Sequence, residues 1–483
     1  MKPRTIRHTL ILIKKIPFLV WFLLLGFQSV YSQTPEENKK TKDSTKQKSS
    51  ETEINLLDML TDDGGLYETT EEETQIEDEK PKFWREYVFN PMRFGISYEL
   101  TYKFTKPDEV IKNRLSYRLE YSKFLFNKIF LQLDTKLFTF LEGDARSRDL
   151  TFFLNDDESE ASIAFGSITR NAFAQYSFGK SNVVVGIQTL AWGESDFAAV
   201  TDEINPFDFR DPLNLNIDEL RVGQFMFTFN TFSSIGNWSM FFVPSARFNL
   251  SPEEGTRFFV DPFPGRDVTF QDDTDNNLFE YGLRWKKTFG KSDISIIATS
   301  LIDNNIIQEE INTDIISTTK RRYTTLGIGF NYAINNLLIR GEAAVKFPRA
   351  YNDINLQVIE RNALDATLSF EYAPNSTTTL GLELVNNHIL DYTDAIVGFP
   401  RNNYSAFFIV GKQFLKNTLE FNCISLLNWP YTTSFSLLST SYELNDHINL
   451  SLDTLIPLTN DERSAFFQFR EQQQFALKIQ YLF

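Results

Sequence analysis

The sequence is short of cysteine, histidine, net positive charge and long apolar runs, and each shortage removes a class of protein. Cys423 is the only cysteine in 483 residues. That excludes a disulfide within the chain and argues against a thiolate zinc site, leaving no metal assigned. The three histidines are His8, His388 and His447, so a Ser/His arrangement has few places to form. Lys and Arg number 48 against 64 Asp and Glu, a formal charge of −16, which argues against nucleic acid as a partner, because phosphate binding needs a basic surface. Beyond the amino end no apolar run approaches the ~20 residues of a spanning helix.

Aromatic side chains are plentiful instead, at 15% of the chain with Phe 47 and Tyr 18. At the amino end a basic stretch (Lys2, Arg4, Arg7, Lys14, Lys15) precedes the apolar run "IPFLVWFLLLGF". Val30 and Ser32 then stand where small residues precede a cleavage site before Gln33. This layout predicts a secretory signal peptide over 1–32, which carries His8 away with it, rather than a membrane anchor. Residues 33–80 hold 15 acids against 6 lysines and almost no apolar side chains, so the expectation is a disordered acidic periplasmic leader. Its one apolar island, Ile54–Leu60, reads either as a short docking helix or as a sticky patch.

From 81 to 483 the pattern changes to period two. Phe94, Ile96, Tyr98, Leu100, Tyr102 and Phe104 alternate with Gly95, Ser97, Glu99, Thr101 and Lys103, and similar alternation recurs to the end of the chain. The runs exceed the five or six residues of an ordinary sandwich strand and match a tilted strand crossing a bilayer. Short polar turns recur at Asn127, Gly179, Ser233, Gly290, Ile334, Ala373, Leu415 and Asn445. Longer connections alternate with them, as at 144–160, 193–218, 250–276, 305–320 and 391–402. The prediction is all-β: a transmembrane antiparallel β-barrel of about 18 strands in the outer membrane, with short periplasmic turns and long extracellular loops. Sixteen strands is the alternative, should a pair around 431–458 be misread. The rival, a secreted β-sandwich or β-helix enzyme, calls for shorter strands and no alternation of loop length.

The stretch "AWGESDFAAVTDEINPFDFRD", Ala191–Asp211, alternates with nothing. Through Glu219 it places eight acids against Arg210 alone. A long loop of this kind is usually functional or mobile. Trp192 is expected at the membrane interface, where a strand leaves the lipid. Arg210 is expected to pair with loop acids, and Asn205 and Asp208 to bond amides around Pro206. The readings left open are a constriction folded into the lumen and a rigid corner. Catalysis is a remote third, a hydrolase. His388 is the one histidine on an outer strand end, but no serine near it stands in a recognisable elbow, so no catalytic residue is assigned. The run Asp272–Asn277 offers oxygen ligands without EF-hand spacing. Inward positions carry mixed charge, among them Lys103, Arg118, Glu120, Asp134, Lys136, Arg284, Lys286, Arg340, Glu342, Arg361, Asp365 and Glu383. "FMFTFNTF", from Phe225, reads as aromatic on both faces, either a partly apolar interior or aromatic girdles at the two interfaces.

Two resemblances add to this reading. The segment from Val183 to Gly223 resembles the signature of a Gram-negative outer-membrane barrel family of unknown function, W-G-E followed by I-N-P-x-D-x-R. The matching positions are Trp192, Gly193, Glu194, Ile204, Asn205, Pro206, Asp208 and Arg210, with Asp202 and Asp211 beside them. The firm match covers about 40 residues, and the acidic leader is not part of that pattern. The resemblance implies an outer-membrane barrel passing small, hydrophobic or lipid-like molecules, with periplasmic or inner-membrane export components of the RND type as partners. Second, Phe475, Leu477, Ile479, Tyr481 and Phe483 resemble the carboxy-terminal signature of outer-membrane barrels. That implies recognition by the barrel-assembly machinery and an environment of outer-membrane lipids. No cofactor is expected. The alternative function is a plugged structural or partner-binding barrel in an envelope complex.

Overall fold

Side chains that alternate strictly between apolar and polar can satisfy two environments only as strands, and most of the described residues between 92 and 482 are strand. The computed structural model describes residues 85–146, 164–198, 200–214, 217–272, 278–312 and 314–483. The expected signal peptide, the acidic leader with its island, and all but the first residue of the 272–277 acidic run lie outside them. The strands begin with β1 (Met92–Lys103), β2 (Glu109–Leu125), β3 (Ile129–Phe140), β4 (Ala164–Phe178), β5 (Ser181–Gln188), β6 (Gln224–Thr231) and β7 (Asn237–Val243). They continue with β8 (Thr269–Asp272), β9 (Glu280–Phe289), β10 (Ser292–Ile302), β11 (Ile307–Asn312), β12 (Ile315–Thr319), β13 (Arg322–Ile334) and β14 (Leu337–Asn352). The rest are β15 (Val358–Asn375), β16 (Thr378–Ile389), β17 (Asn402–Phe414), β18 (Leu419–Trp429), β19 (Thr433–Asn445), β20 (Ile448–Thr459) and β21 (Gln474–Leu482).

Among the described residues eighteen of these strands form one antiparallel sheet that closes on itself. β1 pairs with β2 on one side and with β21 on the other, from Gly95↔Leu482 to Lys103↔Gln474. Closure leaves no unpaired strand edge, the condition for a sheet to sit in lipid. The pair around 431–458 is present as β19 and β20, so the sixteen-stranded alternative falls. All eight short turns stand where the sequence places them, at one end of the barrel, and both β1 and β21 start or finish at that end.

Alternate positions on the strands differ in kind. On β13, Leu326, Ile328 and Phe330 are exposed on the outside, while Thr325 is buried on the inside. Nearly every strand adds exposed aromatic or aliphatic side chains to the outer face. Together they far exceed the few hundred Å² of apolar patch that a water-borne monomer tolerates. Phe225 and Phe227 point outward with the rest, opposite buried Met226 and Thr228. The expectation of aromatics on both faces of "FMFTFNTF" is therefore corrected: its phenylalanines from 225 to 229 sit at odd positions and share one face.

Two of the long connections carry a structure that alternation alone does not reveal. β8 pairs parallel with β12, and β11 pairs antiparallel with β12, so the 244–279 and 303–321 connections share a small three-stranded sheet.

Candidate functional site

The connection between β5 and β6 does not stay with the long loops at the barrel end. It folds into the lumen, where inward-facing side chains of distant strands hold it. Asn205 closes the first part of the loop by acting as a backbone mimic. Its Oδ1 accepts from the Leu190 amide at 3.2 Å and its Nδ2 donates to the Leu190 carbonyl at 2.7 Å. Trp192 and Ile204 are thereby packed against Met226, Phe241, Val243, Ile297, Leu301 and Tyr323 in one buried cluster. The expected interfacial position of Trp192 is corrected: its ring is 1% exposed, edge-on to Phe241 at 5.1 Å, with the Arg284 guanidinium 5.7 Å from its centroid. A ring buried inside the barrel cannot reach the lipid headgroups.

Two wall carboxylates fix the next part. Glu342 on β14 accepts from the amides of Glu194, Ser195 (2.7 Å) and Thr201 (3.0 Å), and from the Thr201 hydroxyl (2.6 Å). Glu383 on β16 accepts from the amides of Asp196 (3.2 Å) and Ala198 (2.7 Å). Buried charges need such saturation by donors to be tolerated. The wall of β13 is bare where the loop passes. A Cβ at Gly327 would lie 2.7 Å from Thr201 Cγ2, and one at Gly329 would lie 3.0 Å from Glu194 Cγ.

Ion pairs complete the attachment. Glu194 meets Lys286 at 3.3 Å, Asp196 pairs with Arg340, and Glu203 meets Lys346 and Arg349, each at 3.0 Å. Burial works to raise the Glu203 carboxyl, but Lys346 and Arg349 outweigh it and hold it near about 2. For Asp202 the balance is reversed: burial pushes its carboxyl up to about 6 in spite of Arg221 at 2.5 Å.

The remainder of the loop crosses to the opposite wall. Arg210 forks onto Asp208, with Nε at 2.9 Å and Nη2 at 2.8 Å. Burial again tends to raise the Asp208 carboxyl, and Arg210 more than reverses it. Asp211 meets Lys112 of β2 at 2.7 Å, and Glu219 meets Lys136 of β3 at 2.7 Å. The family-motif positions are thus brought into one folded-in segment. Its 194–203 part is joined to the wall by Glu342, Glu383 and the basic side chains of β9 and β14, with Tyr323, Asn331 and Thr367 adding hydrogen bonds, and the sequence marks none of them as a loop partner.

Between the loop and the walls a cavity of about 490 Å³ remains. Asp211, Glu219 and Phe197 face it from the loop, and Lys112, Arg114 and Lys478 from the wall. A second, wholly apolar cup of about 160 Å³ adjoins it, sharing Phe197 and Ile424. Strand register orders this wall in rows. Phe407, Leu426 and Phe435 stand level; Ile409, Ile424, Leu437 and Leu455 form the next row toward the short turns; Gly411, Asn422, Ser439 and Asp453 form the row after that. The Trp192 cluster fills the lumen on one side; on the other a second buried cluster of Ile111, Leu213, Phe258, Phe435, Leu455 and Phe469 packs loops against the wall beside the cavity, with apolar rows above polar ones.

The other chemical candidates are placed elsewhere. His388 Nδ1 lies 2.7 Å from Asn402 Oδ1, and His447 Nδ1 lies 2.9 Å from the Leu482 carbonyl oxygen at the short-turn end. Leu477, Ile479, Tyr481 and Phe483 are exposed on the outer face, and the Phe475 ring lies tilted by 45° against Tyr102 with centroids 5.7 Å apart.

No protein-family model matches the sequence, and no curated protein matches it. Solved barrels do. OccK8 (OprE) of Pseudomonas aeruginosa is 10% identical, covering 82% of this chain and 98% of that one, with a TM-score of 0.48. OccAB3 of Acinetobacter baumannii is 9% identical over 81% and 98%, with a TM-score of 0.45. OpdK of Pseudomonas aeruginosa, solved with vanillate, is 9% identical over 82% and 99%, with a TM-score of 0.45. At such identities and scores these likenesses carry nothing about function. The barrel rests on its own strand pairing.

Proposed function

We propose that the chain is an outer-membrane channel for small molecules, whose selectivity lies in the half of the lumen that the 189–223 segment leaves open. One observation carries this: a cavity of about 490 Å³ persists beside an inward-folded loop that is anchored at both walls. A lumen walled by opposed charges and flanked by apolar rows filters by size and polarity rather than by one sign of charge. The outer membrane follows from closure and the apolar exterior, because barrels of this design occur there. The short turns and both strand ends of the barrel then face the periplasm.

The Trp192 cluster favours a second reading, a plugged barrel that serves an envelope complex, because it closes a large share of the lumen. Liposome swelling separates the two. Vesicles holding the purified protein are expected to admit small amino acids and monosaccharides and to exclude large oligosaccharides. No swelling with any solute selects the plugged barrel. The resemblance in the loop motif adds the proposal that cargo moves outward, handed over by an inner-membrane exporter. Crosslinking in cells to a periplasmic adaptor of such a system would support it.

A further inference from the structure

We infer that the open half of the lumen holds a binding site for organic amines that bear one ring-sized apolar group. This deepens the reading of the lumen as a solute passage and rests on it. Two features lie along the same wall, one to two inward rows apart. The first is the apolar cup of about 160 Å³, bounded by Phe197, Phe407, Ile424, Leu426 and Phe435. An apolar cavity of about 150 Å³ takes a benzene ring, so the cup sets the size of the apolar group at one ring or a short branched alkyl. Phe197 and Phe407 stack on each other along its side, 5.3 Å apart and 20° from parallel.

The second feature is Asp453. Most acids lining the cavity are matched by a base: Asp211 and Glu99 by Lys112, Glu219 by Lys136 and Lys478, and Asp208 by Arg210. Asp453 instead receives a hydrogen bond from the Ser439 hydroxyl and meets no cation at ion-pair distance among the described residues. It faces the cavity one inward row toward the short turns from Ile424, Leu437 and Leu455. Inward rows on a strand are about 7 Å apart, so the cup runs from one row (Ile424) to two rows (Phe407, Leu426, Phe435) away from Asp453, which fits an ammonium joined to a ring by about three to six carbons. A carboxylate of equal length would place its charge against Asp453, with the nearby lysines already occupied by their own acids.

Calorimetry on the purified barrel in detergent tests this without relying on transport. The wild type is expected to bind 3-phenylpropylamine, and to bind 3-phenylpropionate and propylamine far more weakly. Asp453→Asn is expected to weaken the phenylpropylamine affinity by roughly ten- to hundredfold, the worth of a hydrogen bond to a charged group. Asp453→Glu should restore most of it, and Phe197→Ala should weaken it while keeping the preference for amine over acid. Equal affinity for the amine and the carboxylate overturns the inference, as does unchanged affinity in Asp453→Asn. Amine binding that depends on Asp453, in a barrel that swells no vesicle, supports the site and removes the passage. Swelling without any amine preference keeps the passage and removes the site.

Discussion

At the residue scale, the inward fold of the loop depends on a few carboxylates that accept backbone hydrogen bonds. Glu342 receives four hydrogen bonds from Glu194, Ser195 and Thr201, all more than 140 residues away in sequence. Each such bond to a charged acceptor contributes about 1.5–3 kcal/mol, and its loss strands a buried amide. Glu342→Ala should therefore loosen the segment by about 3 kcal/mol or more, seen as a rise of roughly 100-fold in amide exchange over 190–204 with the barrel still folded. Arg210→Ala should act locally at Asp208 and leave exchange over the same amides within about threefold of wild type, the usual reach of a change away from the contacts concerned. Equal exchange in the two variants would show that the loop opens as one unit from either anchor.

Asp202 gives the same segment a pH dependence with a definite sign. Its carboxyl titrates near about 6 in the folded loop against 3.8 ordinarily, so the folded loop prefers the protonated form. The stabilisation is full below about pH 4 and is lost as pH rises through about 6, roughly 2–3 kcal/mol in all. Protection of 196–204, taken relative to unstructured exchange rates, should fall across that window. Asp202→Asn should flatten the fall; a variant with the wild-type pH profile would refute this assignment. These residue roles were the least legible part of the sequence. Glu342 and Glu383 read only as inward polar positions, because their partners are amides, which leave no mark in side-chain identity. Trp192 reads as interfacial because a ring at the end of a strand usually is, and the fold of the loop behind it leaves no mark in the spacing.

At the element scale the strands were legible because each faces lipid on one side and polar lumen on the other, so period two is enforced over many residues. The eight short turns were legible for the same reason, as polar breaks between such runs. The small sheet of β8, β11 and β12 was not, since its strands are short and no lipid face imposes alternation on them. The assignment of the two ends of the barrel is testable on cells. An epitope in the 303–321 connection should label on intact cells, and one at Gly290, in the turn between β9 and β10, should label only after permeabilisation. The opposite pattern would invert the barrel. β21 closes the ring against β1 through nine register pairs. Truncation before Gln474 removes all of them and should abolish the heat-modifiable folded band on gels.

At the scale of the whole molecule, the segment between β5 and β6 divides the lumen into a side packed around Trp192 and a side that keeps a cavity of about 490 Å³. Hydrophobic packing around Trp192 makes the first permanent, while the charges and apolar rows from β17 round to β3 line the second. A loop tied to the wall by buried carboxylates and ion pairs is a fixed partition rather than a hinged lid, and the open half should conduct without a gating signal. Single-channel recording in planar bilayers tests this most directly. The wild type should show small, discrete and long-lived conductance steps, and the Glu342→Ala, Glu383→Ala double variant should show larger and noisier ones as the partition comes loose. Absence of steps in the wild type, with steps appearing only in the double variant, would contradict the account and identify the segment as a complete plug.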